Sequence, residues 1–321
     1  ACGAAYAVGL NSGTDALFFA LRALGVGPGD EVITVPNSFV ATAGAIVMAG
    51  ATPVFVDVNA EYLMDPARVD DAITSKTRAV IPVHLTGNPA DMGAISPVAA
   101  RRGLAVIEDA AQAVGAAIGD RVVGSLGSAA AFSLFPLKNL GVAGDGGVLT
   151  TTSREIFDKV MLLRHHGLRT RDEVEIWGYN SRLDTIQAIV ADAVLDGLGD
   201  VTTARIRNAA FYDRALAPLA PHITVPPRRP GVRQVFHTYV VQAESRDRLR
   251  EFLESRGDET KIHYPIPIHL QKTAESLGYK RGAFPVCEAQ SERIVSLPVH
   301  QYLTEAEQQY VVDRIREFYR R

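Results

Sequence analysis

The chain opens with short apolar runs that alternate with helical patterns. Residues 31–35 (EVITV), 53–58 (PVFVDV), 78–84 (RAVIPVH) and 104–109 (LAVIED) are nearly unbroken β-rich runs and predict strands. Between them the spacing predicts helices over 17–24, ended by Gly25, and over 40–49, rich in small residues. A further helix is predicted over 66–74, with Asp65 as N-cap and Pro66 at the first position, and another over 92–102, closed by Gly103. Strands without polar alternation are buried on both faces. Their βαβα order therefore implies an α/β fold, a mostly parallel sheet with helices on both sides. Ligands in that architecture bind at the carboxyl ends of the strands, where His84 and Asp109 fall.

Farther on, helices are expected over 153–165, 185–198 and 204–219. A Pro- and Arg-rich stretch, 221–231, interrupts the pattern. A strand (238–242), a charged helix (246–256), a strand (261–264) and an amphipathic helix (304–319) follow. This predicts a large domain over 1–200 and a smaller α+β domain over 201–321. No internal repeat or low-complexity segment is visible.

Composition narrows the class. The 321 residues carry a net charge of −3, which gives no electrostatic footprint for nucleic acid or an anionic membrane. No run is long and apolar enough for a membrane span. Cys2 and Cys287 are the two cysteines, which is no disulfide framework and suits the cytoplasm. The chain starts at Ala1 and enters a core-like run almost at once, so an N-terminal piece is expected to be missing.

The candidate chemistry lies between Val106 and Gly147. Asp109 ends an apolar run, and Lys138 follows in a turn-rich segment with apolar flanks, FSLFPL and NLGVAG. A lysine is ordinarily a surface group, and Asp109 can also serve as a plain N-cap. Together they match what pyridoxal phosphate (PLP) needs. A partly desolvated amine can form a Schiff base, and a carboxylate can hold a proton on the pyridine nitrogen. Residues 11–16 (NSGTDA) precede an apolar helix, whose N-terminus can cradle a phosphate through Ser12, Gly13, Thr14 and Asp15, although a plain N-cap explains the pattern as well. Phe39 can stack on a flat ring, although ordinary core packing explains an isolated Phe as well. His84, His263 and His269 are candidates for polar work near a substrate, where a lone His is more often structural. The H-x5-H spacing of 263–269 lacks cysteines or carboxylates, so no metal is expected. Neither a dinucleotide fingerprint nor a phosphate loop with Lys-Ser/Thr is present.

Seven ordered motifs carry a resemblance: SGTDAL, PVHLTGNPADM, EDAAQAVGA, FSLFPLKNLGVAGDGG, RHHG, GYNSRLDTIQA and HYPIPIHLQ. Together they resemble the DegT/DnrJ/EryC1/StrS family of PLP-dependent sugar aminotransferases. The resemblance implies the type I, aspartate aminotransferase-like fold and a homodimer with sites at the subunit interface. It implies Lys138 as Schiff-base lysine and proton shuttle, Asp109 at the pyridine nitrogen and Gln112 against the ring. Thr14 and Asp15 would supply backbone N–H groups, and Ser133 a hydroxyl, to the phosphate. Phe39 would stack on the ring, and Asn180 would reach the partner's phosphate with Arg182 close by. Tyr264 and His269 would lie near the sugar nucleotide. L-glutamate is the implied amino donor, and a keto sugar nucleotide aminated at C3 the implied acceptor. The sequence leaves open amination at C4 and a keto-cyclitol acceptor. A sugar dehydratase is disfavoured by the intact Lys138, and a regulatory PLP-binding domain without turnover is a further alternative. Two departures stand out. The family has more residues before AYAVGLNSG, and Phe135 occupies a position where His is common.

Overall fold

The computed structural model describes residues 2–320. β1 (Tyr6–Leu10) leads into α1 (Gly13–Ala23), followed by β2 (Glu31–Thr34), α2 (Ala41–Met48) and β3 (Thr52–Phe55). Then come β4 (Thr77–Val80), α3 (Met92–Arg101) and β5 (Ala105–Asp109). A small hairpin, β6 (Ala117–Ile118) and β7 (Arg121–Val122), precedes β8 (Ala129–Ser133) and β9 (Gly147–Thr151). Seven of these strands form one sheet of order β1-β9-β8-β5-β4-β2-β3. The five strands from β8 to β3 pair in parallel, and β9 runs against both β8 and β1.

Alternate residues of each parallel strand feed opposite cores, which is why these runs carry no polar phase. Val32, Ala79, Ile107 and Ala129 pack with α1 residues such as Leu17 and Phe19. Ile33, Val80, Val106 and Ala130 pack on the other side with Met92 and Ile95 of α3. β8 is almost all alanine because α1 lies close against it: a Cβ on Gly13 would stand 2.9 Å from Ser133 Cβ.

The second half begins with α4 (Arg154–Leu163), α5 (Thr185–Leu195) and the long α6 (Leu198–Leu216). β10 (Ile223–Thr224), β11 (Val232–Arg233), β12 (Tyr239–Ala243) and α7 (Arg246–Glu254) follow, then α8 (Pro285–Arg293), β13 (Ile294–Leu297) and α9 (Glu305–Tyr319). β10, β12 and β13 make a small antiparallel sheet. Tyr212, Tyr239, Leu249, Val295 and Val312 fill a core of their own beside it. The expected boundary at residue 200 falls inside the first turn of α6. β11 pairs with β6 of the small hairpin in a separate three-stranded sheet, which ties the C-terminal half back to the N-terminal one.

Several expectations change in detail. Residues 66–74 form two 3-10 turns, Pro66–Arg68 and Asp70–Ala72, instead of a helix. Val69 is the one fully buried apolar side chain there, too little to hold an amphipathic helix down. Residues 261–264 make one isolated bridge, Lys261 to Ser296, not a strand. β1, β8, β9, α8 and β13 add to the predicted set.

Candidate active site

The parallel strands bring the carboxyl ends of β4 and β5 to one edge of the sheet. Asp109, the last residue of β5, is buried. Its Oδ2 accepts from Thr42 Oγ1 at 2.7 Å and its Oδ1 from the Ala111 N–H at 3.2 Å. Thr42 is oriented in turn by the Ser38 hydroxyl, 2.9 Å away. Among the described residues no cationic side chain forms an ion pair with Asp109. A buried carboxylate without a cation is costly, so the site is built for a positive group brought by a ligand.

Lys138 sits in the turn after β8, where its N–H donates to the Phe135 carbonyl at 2.8 Å. Burial lowers the proton affinity of its amine, and the nearby Asp109 carboxylate partly restores it. An amine so placed carries a larger neutral, nucleophilic fraction at neutral pH than a surface lysine. Gln112 Oε1 accepts from the Thr86 N–H at 2.7 Å, and its Nε2 donates to Tyr264 Oη at 3.3 Å. The Tyr264 ring lies 5.8 Å from that of the exposed Phe39. Burial, then the Asp109 charge, push the Tyr264 phenol up to about 12, so it stays a neutral hydroxyl. Asp109, Lys138, Gln112, Tyr264 and Phe39 thus share one cleft.

The N-terminus of α1 adds an anion site. Ser12 caps it by accepting from the Asp15 N–H at 3.1 Å, which leaves the Gly13 and Thr14 amides of the first turn without intrahelical acceptors. These amides and the dipole end favour an anion. The close approach of Gly13 to Ser133 sets that hydroxyl beside them. Ser133 Oγ accepts from the Phe135 N–H at 3.3 Å, at the start of the turn that carries Lys138. The Asp15 N–H, expected at the phosphate, is occupied by the Ser12 cap. Its carboxylate is also engaged: Ser181 Oγ donates to it at 2.6 Å while accepting from the Asn11 N–H at 3.2 Å. This buried serine pins residues 180–182 against α1. Asn180 is exposed, and Arg182 is exposed with Nη1 at 2.8 Å from His165 Nδ1.

Two expected substrate residues do not face the cleft. His84 is fully buried, its Nδ1 accepting from the Ala90 N–H at 2.9 Å and its Nε2 3.1 Å from Glu108 Oε2. Glu108 also accepts from the Gly124, Leu126 and Gly127 amides at 3.0, 2.7 and 3.0 Å. Burial opposes its ionisation, but the His84 bond and these amides outweigh that and hold Glu108 below the usual carboxylate range. Glu108 and Asp109 are adjacent on a strand and so point to opposite faces, and His84 goes with Glu108. His269 is buried as well, paired with Glu288 at 3.0 Å and packed edge-on to Phe284. The short turn Ile268–Leu270 directs it inward, to Glu288 and Phe284.

Thr42 and Ser181, which bond Asp109 and Asp15, carry no sequence signal beyond their type, nor does His237, which stands within electrostatic range of Lys138. His263 does have one, the HYP motif, and stands within electrostatic range of Lys138. Among the described residues no group of three or more His, Cys, Asp or Glu could hold a metal ion. The donor set fits PLP: a carboxylate lacking a cation, a desolvated lysine, an amide cradle with a hydroxyl, and an aromatic wall.

The chain is 47% identical over 319 residues to a pleiotropic regulatory protein of Geobacillus stearothermophilus, covering 99% of this chain and 86% of that one. It is 42% identical over 318 residues to the dTDP-3-amino-3,4,6-trideoxy-alpha-D-glucose transaminase of Streptomyces venezuelae, covering 99% and 84%. The fold superposes on a crystal structure of S. venezuelae DesV in complex with a ketimine intermediate with a TM-score of 0.96 at 43% identity, covering 100% of this chain and 86% of that one. The DegT/DnrJ/EryC1/StrS aminotransferase family matches residues 1–316, and the chain belongs to that family.

Proposed function

We propose that the protein is a transaminase that moves the amino group of L-glutamate to a keto sugar joined to a nucleotide, with the C3 carbonyl as acceptor. The observation that carries this reading is the buried Lys138 amine within electrostatic range of Asp109, a buried carboxylate that forms no ion pair among the described residues. The family works with PLP, which supplies the amino carrier and the electron sink when bound. Asp109, held by Thr42 and Ala111, would keep a proton on the pyridine nitrogen. The Lys138 amine, its proton affinity lowered by burial, would take the proton from the amino-donor carbon and, in the reverse half of the exchange, return it to the sugar carbon that receives the amino group. Gly13, Thr14 and Ser133 hold the phosphate. Gln112, Phe39 and Tyr264 would line the ring's surroundings. The relative named a 3-amino sugar transaminase supports the C3 assignment.

A homodimer with shared sites completes the reading. α5 buries no residue, and Ile186 and Ile189 on it are each 64% exposed. Trp177 is 94% exposed, and Val40, Val47 and Met48 add apolar surface around α2. So much bare apolar area marks an interface. Asn180, between Trp177 and α5, then reaches the partner's phosphate cradle, and Arg182 and Tyr264 meet the nucleotide sugar. No helix among the described residues is long and apolar enough to cross a membrane. We place the protein in the cytoplasm on its cysteine usage, Cys2 and Cys287 both being free.

The test is incubation of the PLP-loaded protein with L-glutamate and a dTDP- or UDP-linked 3-keto sugar, read by mass spectrometry. A 3-amino sugar nucleotide with matching 2-oxoglutarate supports the reading. A protein that binds PLP but transfers no amino group to any keto sugar or cyclitol supports the second reading, a regulator, which the name of the Geobacillus relative favours.

A further inference from the structure

The first turn of α2 serves the cleft in two ways. Phe39, the aromatic wall, stands just before the helix, and Thr42 is its second residue. The Phe39 carbonyl accepts from the Thr42 N–H at 3.2 Å and from the Ser38 hydroxyl at 3.1 Å. The same two residues then lead to the carboxylate. Ser38 Oγ lies 2.9 Å from Thr42 Oγ1, and Thr42 Oγ1 donates to Asp109 Oδ2 at 2.7 Å. Ser38, Thr42 and Asp109 are all buried, so this path lies out of bulk water.

The protons along this path run one way. A hydroxyl has a single proton to give. Thr42 gives its proton to Asp109 and can therefore only accept from Ser38. The Ser38 proton is shared between Thr42 Oγ1 and the Phe39 carbonyl. The Ala111 N–H supplies the second donor, to Oδ1 of Asp109 at 3.2 Å. An aspartate carboxyl group otherwise turns easily about its last torsion, whose wells are broad and two-fold. One donor on each oxygen fixes the plane of the group. The Ala111 bond is at the long end of the N–H···O range, so the short Thr42 bond, from a hydroxyl that is itself held, does most of the fixing. Each oxygen keeps a lone pair for the cleft, and neither neighbour needs a proton from the carboxyl group. The face that Asp109 turns to the cleft is all acceptor.

We propose that Thr42 is a positioning residue for Asp109: the Ser38–Thr42 relay sets the carboxylate plane to accept from a ring N–H, and the cleft thereby selects a cofactor ring with nitrogen at that position over one with carbon there. The proposal rests on the PLP reading of the cleft. It differs from a packing role for a buried threonine. Packing requires the methyl group and the volume, which valine supplies, and is indifferent to the atom the ring carries. The relay requires the hydroxyl, and its loss leaves Oδ2 buried without a donor and free to turn. The relay also ties the aromatic wall to the carboxylate, because Ser38 and Thr42 hold the Phe39 carbonyl as well.

The experiment compares the full wild-type chain with three variants. Thr42→Val keeps the shape without the hydroxyl, Thr42→Ser keeps the hydroxyl, and Ser38→Ala keeps Thr42 but removes its donor. The dissociation constants of PLP and of its deaza analogue, in which C–H replaces the pyridine nitrogen, are measured by absorbance titration. Wild type is expected to hold PLP ~10–100-fold more tightly than the analogue. Thr42→Val should cut that preference ~10-fold while leaving the affinity for the analogue unchanged. Ser38→Ala should cut it ~2–5-fold, and Thr42→Ser should restore it. With isotope-labelled PLP, the NMR signal of the ring nitrogen should move in Thr42→Val toward that of unprotonated pyridine and return in Thr42→Ser. A full preference in Thr42→Val with an unmoved nitrogen signal overturns the proposal. An unchanged preference in Ser38→Ala does the same, whether or not Thr42→Val folds. So does an equal loss for both rings that tracks a lower melting temperature, the result of a packing role. A wild type that holds both rings equally removes Asp109 from the ring nitrogen, and the site reading then falls with the proposal. A wild-type preference that Thr42→Val retains overturns the proposal alone.

Discussion

Gly13 and Gly199 both begin helices, and the same substitution should act on them in opposite directions. Alanine is favoured over glycine in a helix by about 0.8–1 kcal/mol, and neither position has a left-handed backbone. At Gly199, in the first turn of α6, an added Cβ meets nothing within 4 Å. Gly199→Ala should therefore gain roughly 0.5–1 kcal/mol and melt about 2 °C higher, with unchanged PLP affinity. At Gly13 the Cβ would stand 2.9 Å from Ser133 Cβ, 3.1 Å from Ser133 Cα and 3.3 Å from the Phe132 carbonyl oxygen. Carbon atoms in contact prefer about 3.5–4.0 Å, so helix and strand must part by ~0.6–1 Å. The obstructing atoms are the backbone and Cβ of β8, paired to β5 on one side and β9 on the other, so no rotamer change relieves the clash. Overpacking of this kind costs about 1–3 kcal/mol, more than the helix preference returns. The displacement falls on the amides and hydroxyl assigned to the phosphate, so Gly13→Ala should also bind PLP ~10–100-fold more weakly. PLP titration by absorbance and thermal melting of the cofactor-free proteins give both quantities. Wild-type PLP affinity and melting in Gly13→Ala would refute the phosphate cradle at α1.

Three further predictions test separate parts of the site. Lys138→Ala should bind PLP without the visible band of the lysine-bound cofactor, and borohydride should trap none on the protein; covalent trapping in that variant removes Lys138 from its role. Mixing Lys138→Ala with Asn180→Ala subunits should restore activity above either parent if Asn180 serves the partner's site; activity no higher than the parents' contradicts it. Glu108 is ionised more readily in the fold than in the unfolded chain, so it contributes stability above its ordinary value near 4.5 that is lost as pH falls through its folded value. Glu108→Gln should be about 3–5 kcal/mol less stable at pH 7 and lose less on acidification to pH 3.5, read by melting; equal acid slopes rule the linkage out.

Asp109 and Lys138 were legible because each interrupts or follows an apolar run with an ionisable group whose burial demands a partner. The same logic misplaced His84. A polar residue at a strand's carboxyl end reads alike whether it faces the cleft or the opposite face, and its carboxylate partner, Glu108, lies 24 residues away. His269 failed for a related reason: one 3-10 turn separates an inward from an outward side chain. Thr42, which bonds Asp109 across 67 residues, and Ser181, which bonds Asp15 across 166, are small polar residues with no local pattern. Only the sheet's parallel order and the packing of α1 bring them together. The helix expected at 66–74 had its cap and its proline in place, and lacked the apolar stripe that would have kept it folded.

The account's central claim is that Lys138 and Asp109 turn bound PLP into an amino carrier. The visible spectrum of the purified, PLP-loaded protein before and after L-glutamate tests it most directly. Conversion of the lysine-bound cofactor band to that of pyridoxamine phosphate, with 2-oxoglutarate released in equal amount, is the predicted result. A band that persists unchanged in excess glutamate and other amino donors would contradict the claim.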